Sequence, residues 1–273
     1  MKILLTITFL SIVTLMGIFQ EWSYVSNTQI SRLISLSVEN GDATLIQSHG
    51  TVILIDTGTS DDVVESVRRH LGFFERTIDI LVLTHPDRDH IGGTLGVLKS
   101  YDIKNVILTG AHEPKDILYQ EILQEIEAKE IPITQGMYGT KIQDSHVNLE
   151  IIWPLKNVWG QEVKDPNHHS IVLQGRVGDT DLLLTGDIDI HAEQQLIRTD
   201  LLQDTDILKV SHHGSKTSTH PIFLDTINPE TSIISAGKDN PFGHPHDIVI
   251  DNLQNANVEI RQTALEGDIV IEL

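Results

Sequence analysis

No cysteine occurs in the 273 residues. Disulfides, thiolate metal sites and cysteine nucleophiles are thereby excluded, and any metal must be held by imidazole, carboxylate or amide groups. Basic residues are scarce: 19 Lys and Arg stand against 39 Asp and Glu, for a net charge of -20. Such a surface repels a polyanion at long range, which argues against a general coat protein for duplex nucleic acid. A local cleft for phosphate esters stays open, because bound cations there would set their own field. Aromatic residues make up only 5%, so base stacking would rest on few side chains, chiefly Trp153 and Trp159. What is plentiful is apolar residue, at 40%, enough for one layered domain with a sizeable core.

The densest chemistry lies at residues 79–90, DILVLTHPDRDH. Ile80, Leu81, Val82 and Leu83 form the continuous apolar run of a strand buried on both faces. The run stops, and His85, Asp87 and Asp89 follow at alternate positions, with His90 adjacent. In extended chain the alternating side chains point the same way, so imidazoles and carboxylates converge on one small volume. Unpaired at the end of a buried strand these groups would be costly, and one or two divalent cations reverse that cost. A plain turn would carry Gly, Asn or Pro in place of acceptors at every second residue. Gly92 and Gly93 let the backbone turn tightly behind the ligands and enter a helix.

Residues 3–19 are almost wholly apolar and lie between Met1-Lys2 and a polar stretch, the layout of an export signal or a membrane anchor. The chain therefore divides into a leader, 1–27, and one globular domain, 28–273, expected outside the cytoplasm: secreted, periplasmic or membrane-anchored. From residue 33 short strands alternate with turns up to Asp56-Thr57-Gly58. A helix follows with Val63, Val64, Val67 and Leu71 as its apolar stripe and Gly72 as its stop. Further on the pattern predicts a strand at 106–108, a helix at 115–129, strands over 131–153, an irregular loop at 154–167 and a hairpin turning at Gly178-Asp179. A helix over 190–203 precedes DILKVSHH at 206–213, which echoes DILVLTH at 79–85. Two halves, each with a strand ending in histidine, predict a duplicated sandwich whose ligands meet at one edge. A helix at 247–255 and strands at 258–261 and 268–273 would close the second sheet.

The HPDRDH run, Asn167-x-x-Ser170, Thr185-Gly186-Asp187, Ser211-His212-His213-Gly214-Ser215 and Gly243-His244-Pro245-His246 occur in that order. Together with Asn40-Gly41-Asp42 and Asp56-Thr57-Gly58 they resemble the metallo-β-lactamase superfamily. Within it they look most like the hydrolase domain of ComEC-type DNA-uptake channels and their stand-alone relatives; the multi-span channel itself is not part of this sequence. The resemblance implies an α/β fold, an αββα sandwich of two mixed sheets with helices on the outer faces and a dinuclear site at one edge. It implies His85 and Asp87 on one metal, Asp89, His90 and His213 on the second, and Asp187 bridging them. A remaining ligand falls to His169, with His168 or Asn167 as alternatives. Where the family pattern has a second histidine this chain has Asp87, which makes manganese a candidate beside zinc.

Two divalent ions, Zn2+ or Mn2+, would support hydrolysis by an activated water. Asp89 can orient that water; His212 and His244 are placed to hold phosphate oxygens or protonate a leaving alkoxide, and Lys216 to pair with a non-bridging phosphate oxygen. The expectation is an exported phosphodiesterase acting on a phosphodiester substrate, with single-stranded nucleic acid favoured, membrane association through residues 3–19, and no obligate protein partner. An envelope phosphoesterase such as a phosphorylcholine esterase, and a metal-stabilised binding module, are the alternatives.

Overall fold

Period-two alternation decides which way each strand faces, and here both faces are covered. In β3 (Thr51–Ile55), Val52 and Leu54 pack toward helices while Ile53 and Ile55 pack toward a second sheet. A computed structural model describes residues 30–72, 75–112 and 116–273. The apolar stretch 3–19 lies outside them; among the described residues no helix is long and apolar enough to cross a membrane.

The first sheet is built from β1 (Arg32–Ser35), β2 (Thr44–Ser48), β3, β4 (Thr77–Leu83), β5 (Asp102–Leu108) and β6 (Ile133–Gln135). The second uses β7 (Lys141–Gln143), β8 (Val147–Trp153), β9 (Val172–Val177), β10 (Thr180–Leu184), β11 (Ile207–Lys209), β12 (Thr231–Ile234) and β13 (Glu259–Gln262). A last strand, β14 (Ile269–Glu272), returns to the first sheet, so each has seven strands. Each half starts as an antiparallel meander and continues with parallel strands. The strands that end in the two histidine motifs, β4 and β11, occupy equivalent places, each the first parallel neighbour after its meander.

Helices α1 (Asp62–Leu71), α3 (Thr94–Ser100) and α4 (Ile117–Ala128) cover the first sheet, with the single turn α2 (Arg88–Ile91) inside the ligand loop. Helices α5 (Ile190–Ile197), α6 (Pro221–Ile227) and α7 (Asp247–Asn255) cover the second. Three apolar layers result, one between the sheets and one under each helical face, which is the αββα sandwich. A fully buried Leu or Ile contributes roughly 1.5–3 kcal/mol, so these layers dominate the stability that holds the site.

One expectation is corrected. Residues 268–273 do not close the second sheet: β14 pairs antiparallel with β1, Ile34 opposite Val270. A short helix, α8 (Thr263–Glu266), and Gly267 turn the chain across the sandwich. There Asp268 accepts the Ser37 N–H at 2.8 Å and pairs with Arg69 and His70, which pins the crossing. The return covers the edge of β1 that would otherwise stay open. The fifth helix is also shorter than its expected 190–203, ending at Ile197.

Candidate metal centre

The carboxyl ends of β4 and β11 bring the two histidine motifs to one edge, where parallel strands of an α/β sheet leave a crevice. His85 leaves β4 directly. Its Nδ1 lies 3.0 Å from Thr84 Oγ1 and 3.2 Å from Ser170 Oγ, which leaves Nε2 facing the crevice. After Pro86 the chain tightens into α2, and His90 is carried beneath. His90 Nδ1 is 2.7 Å from Asp56 Oδ2, and its Nε2 is 3.2 Å from Asp187 Oδ1. From the other half His213 enters with Nδ1 on the Ser235 carbonyl at 2.8 Å, and its Nε2 is 3.3 Å from Asp89 and 3.5 Å from Asp187 Oδ2. Asp187 thus presents one oxygen to His90 and the other to His213.

The local backbone is built for this. His212 and His213 are consecutive residues at positive φ, 50° and 54°, a conformation that costs free energy and is held by the surroundings. The His212 N–H donates to the Gly186 carbonyl, tying this turn to the Asp187 turn. Gly41 abuts the ligand loop so closely that a Cβ would lie 2.3 Å from the Asp89 carbonyl oxygen. Only glycine permits that approach.

At the meeting point of these side chains four enclosed atoms make no aligned hydrogen bond: Nε2 of His85, His90 and His213, and Oδ1 of Asp187. Buried polar groups normally have partners, so four orphans around one point need an explanation. Ligand atoms of His85, His90 and Asp187 all lie within 4.8 Å of one another, as do those of Asp89, His90 and His213. Three imidazoles and carboxylates in that arrangement fit a divalent cation, with the Asp187 carboxylate placed between the two groups. His85 and Asp87 approach to 3.8 Å, but Asp87, the more exposed of the ligand-loop acids, joins neither converging group.

Electrostatics agree. Burial, then the neighbouring His90, pushes the His85 imidazole down to about 3, so it is neutral and able to ligate. Burial opposes a charge on His90, but Asp187 and Asp56 overcome it and raise His90 well above the usual value. Asp187 is likewise held well below the carboxylate range, because His90 and His213 outweigh its burial. Asp89 is lowered to about 2 against its burial, through the His213 hydrogen bond and His90. The site is therefore a set of carboxylates seeking positive charge, which protons and metal ions compete to supply.

The other expected residues ring this centre. His212 Nε2 stands 4.0 Å from Asp187 Oδ2. The His244 ring is 5.7 Å from His212 and 6.2 Å from His213, and burial followed by those imidazoles lowers it to about 4. Lys216 is exposed, and its backbone N–H donates to His246 Nδ1 at 3.2 Å. His169 does not join either converging group: its ring stands edge-on to His168 at 5.1 Å. His168 is engaged with Asp189 at 2.9 Å. Asn167–His169 is a 3-10 turn, in which residues i and i+3 share a face and those between point elsewhere. Ser170 faces the site, accepting the Asp187 N–H at 3.0 Å, so Asn167 shares its face; Asn167 Oδ1 is enclosed without a partner. Sequence reasoning missed Asp56 and Ser170 as site residues, although both sit in the quoted motifs.

A family model described as the metallo-beta-lactamase superfamily matches residues 36–143. With the sandwich above, this defines a protein of the metallo-β-lactamase superfamily. Within the superfamily the chain is ComEC-like. It is 34% identical over 199 residues to ComE operon protein 3 of Bacillus subtilis, covering 71% of this chain and 24% of that protein. It is 32% identical over 242 residues to Recombination protein 2 of Haemophilus influenzae, covering 86% and 28%. The chain thus spans about a quarter of the length of these curated relatives. Among solved structures, the diiron β-hydroxylase CmlA from Streptomyces venezuelae aligns with a TM-score of 0.58 at 12% identity, over 89% of this chain and 54% of that one, a likeness of fold alone.

Proposed function

We propose that this chain is a metal-dependent phosphodiesterase that acts outside the cytoplasm, with single-stranded nucleic acid as its substrate class. The observation that carries the reading is the shared carboxylate: Asp187 offers one oxygen to His90 and the other to His213, in a cluster where Nε2 of His85, His90 and His213 and Oδ1 of Asp187 are enclosed without an aligned hydrogen bond. His85, Asp87, Asp89, His90, Asp187 and His213 would hold two divalent ions, zinc or manganese. Such a pair supplies Lewis acidity toward a phosphoryl oxygen and lowers the pKa of water.

The chain's own groups do the rest. Asp89, lowered to about 2 and so ionised at ordinary pH, would orient a water by accepting its hydrogen bond. His244, neutral near pH 7, donates one ring N–H to a non-bridging phosphate oxygen. His212, only 27% exposed, is beside the centre and can pass a proton to the leaving alkoxide. Lys216 adds a cation at the rim of an otherwise acidic protein, suited to a phosphate. The nucleic-acid preference draws on the names of two relatives, one a recombination protein and one a competence protein. The export reading draws on residues 3–19, which would also give membrane association.

Hydrolysis of bis-p-nitrophenyl phosphate tests the reading. The protein is stripped of metal, then resupplied with manganese or zinc, with Asp187→Ala as control. Metal-dependent release of nitrophenol, absent in the control, is expected, followed by cleavage of single-stranded DNA. A folded, metal-loaded protein that releases nothing would overturn the phosphodiesterase reading and favour a binding module.

A further inference from the structure

A third group of ligand-like atoms lies behind the centre: Asp42, Asp56 and His90 converge within 4.8 Å, all buried. It shares His90 with the two groups at the crevice, but it could reach that ring only through Nδ1, the atom now on Asp56. A cation captured there would pull His90 away from Asp187.

The sequence supplies a different charge for this place. Lys209 ends β11 with only 3% of its surface exposed, and its Nζ is 2.6 Å from Asp42 Oδ2. Its strand neighbour two residues back, Ile207, faces the layer between the sheets, so Lys209 projects across that layer toward the first sheet. The DILKVSHH and DILVLTH echo sets Lys209 against Val82, which also faces that layer. One half of the duplication thus carries a buried ammonium where the other carries a methyl-bearing side chain.

The partner of Lys209 is wired to ligands from both halves. The Asp42 N–H donates to the Asp89 carbonyl at 3.0 Å, and the Asp42 carbonyl accepts from Gly58 at 2.8 Å. The preceding carbonyl, Gly41, accepts from Ser235 Oγ at 2.9 Å, and the Ser235 carbonyl holds His213 Nδ1. We propose that Lys209 is a positioning residue for the metal centre. Its ammonium neutralises Asp42, denies the rear group to a metal ion, and keeps His90 presenting Nε2 toward Asp187. The pair also braces Asp42 across the two sheets, fixing Asp89 and His213 at a set separation. Removing one member of a buried ion pair leaves an uncompensated charge, whereas replacing both by neutral groups of similar shape is often tolerated.

Cobalt(II) binding to the metal-stripped full chain tests this without any substrate, so it is independent of the phosphodiesterase reading. Lys209→Met is expected to weaken binding at least tenfold and to alter the visible d–d spectrum. Asp42→Asn, which leaves the ammonium unpaired, is expected to weaken it similarly. The double variant, neutral at both positions, is expected to return affinity to within about threefold of wild type. Wild-type affinity and spectrum in either folded single variant would overturn the proposal, whatever happens to thermal stability. A folded double variant that stays as weak as the singles would also overturn it. Should Lys209→Met fail to fold, Asp42→Asn and the double variant decide. A wild-type protein that binds no cobalt would instead overturn the metal centre itself.

Discussion

His90 Nδ1 and Asp56 Oδ2 lie 2.7 Å apart in a fully enclosed contact. Asp56 is in turn held by Thr84, whose N–H and hydroxyl both donate to it, at 2.8 and 2.7 Å. A carboxylate on the far nitrogen fixes the tautomer and aim of a ligand imidazole. Asp56→Asn is expected to weaken metal binding by roughly 10–100-fold with little change in secondary structure. Chelator competition measures it, and undiminished affinity would mean that packing alone aims His90.

Asp187→Ala removes both oxygens that face the two halves. Metal content, read by elemental analysis after gel filtration, should drop to about half or less, because a carboxylate facing both groups would help hold an ion in each. Retention of the full complement would sink the bridging role.

Ser170 is fully buried and touches both His85 and the Asp187 backbone. Ser170→Ala leaves the Asp187 N–H without its acceptor, a loss of about 1–3 kcal/mol in urea unfolding. Turnover should fall through kcat, since His85 loses one of the two hydroxyls at its Nδ1.

Glu193 on α5 is wholly buried and accepts backbone N–H groups from Thr219 and His220 at the start of α6. Burial outweighs those donors and raises its carboxyl to about 7. The folded state therefore binds this proton more tightly than the unfolded chain, and stability from this group is lost as pH rises from about 4.5 through about 7. Between pH 5.5 and 8 Glu193 should account for about 2 kcal/mol of that decline. In Glu193→Gln the urea-measured slope over this window should flatten by that amount; an unchanged slope would assign it to other groups.

Lys216→Ala should raise KM for a phosphodiester several-fold with metal content unchanged. An emptied site in that variant would show that Lys216 supports the fold of the turn after His213 and not the substrate.

The ligand loop was legible because its chemistry is local. Imidazoles and carboxylates crowded into six residues mark a ligand loop whatever path the chain takes, but the expected extended alternation does not hold: after Asp87 the chain turns into α2, which carries Asp89 and His90. The helix expected at 115–129 is found at Ile117–Ala128 for a similar reason, its stripe being carried by neighbours in sequence. Helix α6 and strand β12 went unseen: Phe223, Leu224 and Ile227 make too short a stripe to stand out, and Pro221 at the helix start is ambiguous without its partner layer. His169 looked like a ligand because histidine is a good one. In the structure that histidine lies in a 3-10 turn that sets Asn167 and Ser170 on one face, a feature that residue type alone does not show.

By itself the sequence determined the layered α/β class, the two histidine-ended strands and the acidic, cysteine-free donor set, since each follows from residue type and short-range period. Tertiary structure alone decided that β14 crosses back to β1, that His90 meets Asp56 with one ring nitrogen and Asp187 with the other, and that Lys209 reaches Asp42 from the opposite sheet. Those contacts join residues far apart in the chain. Their distances are set by how two sheets pack, and no local pattern encodes that.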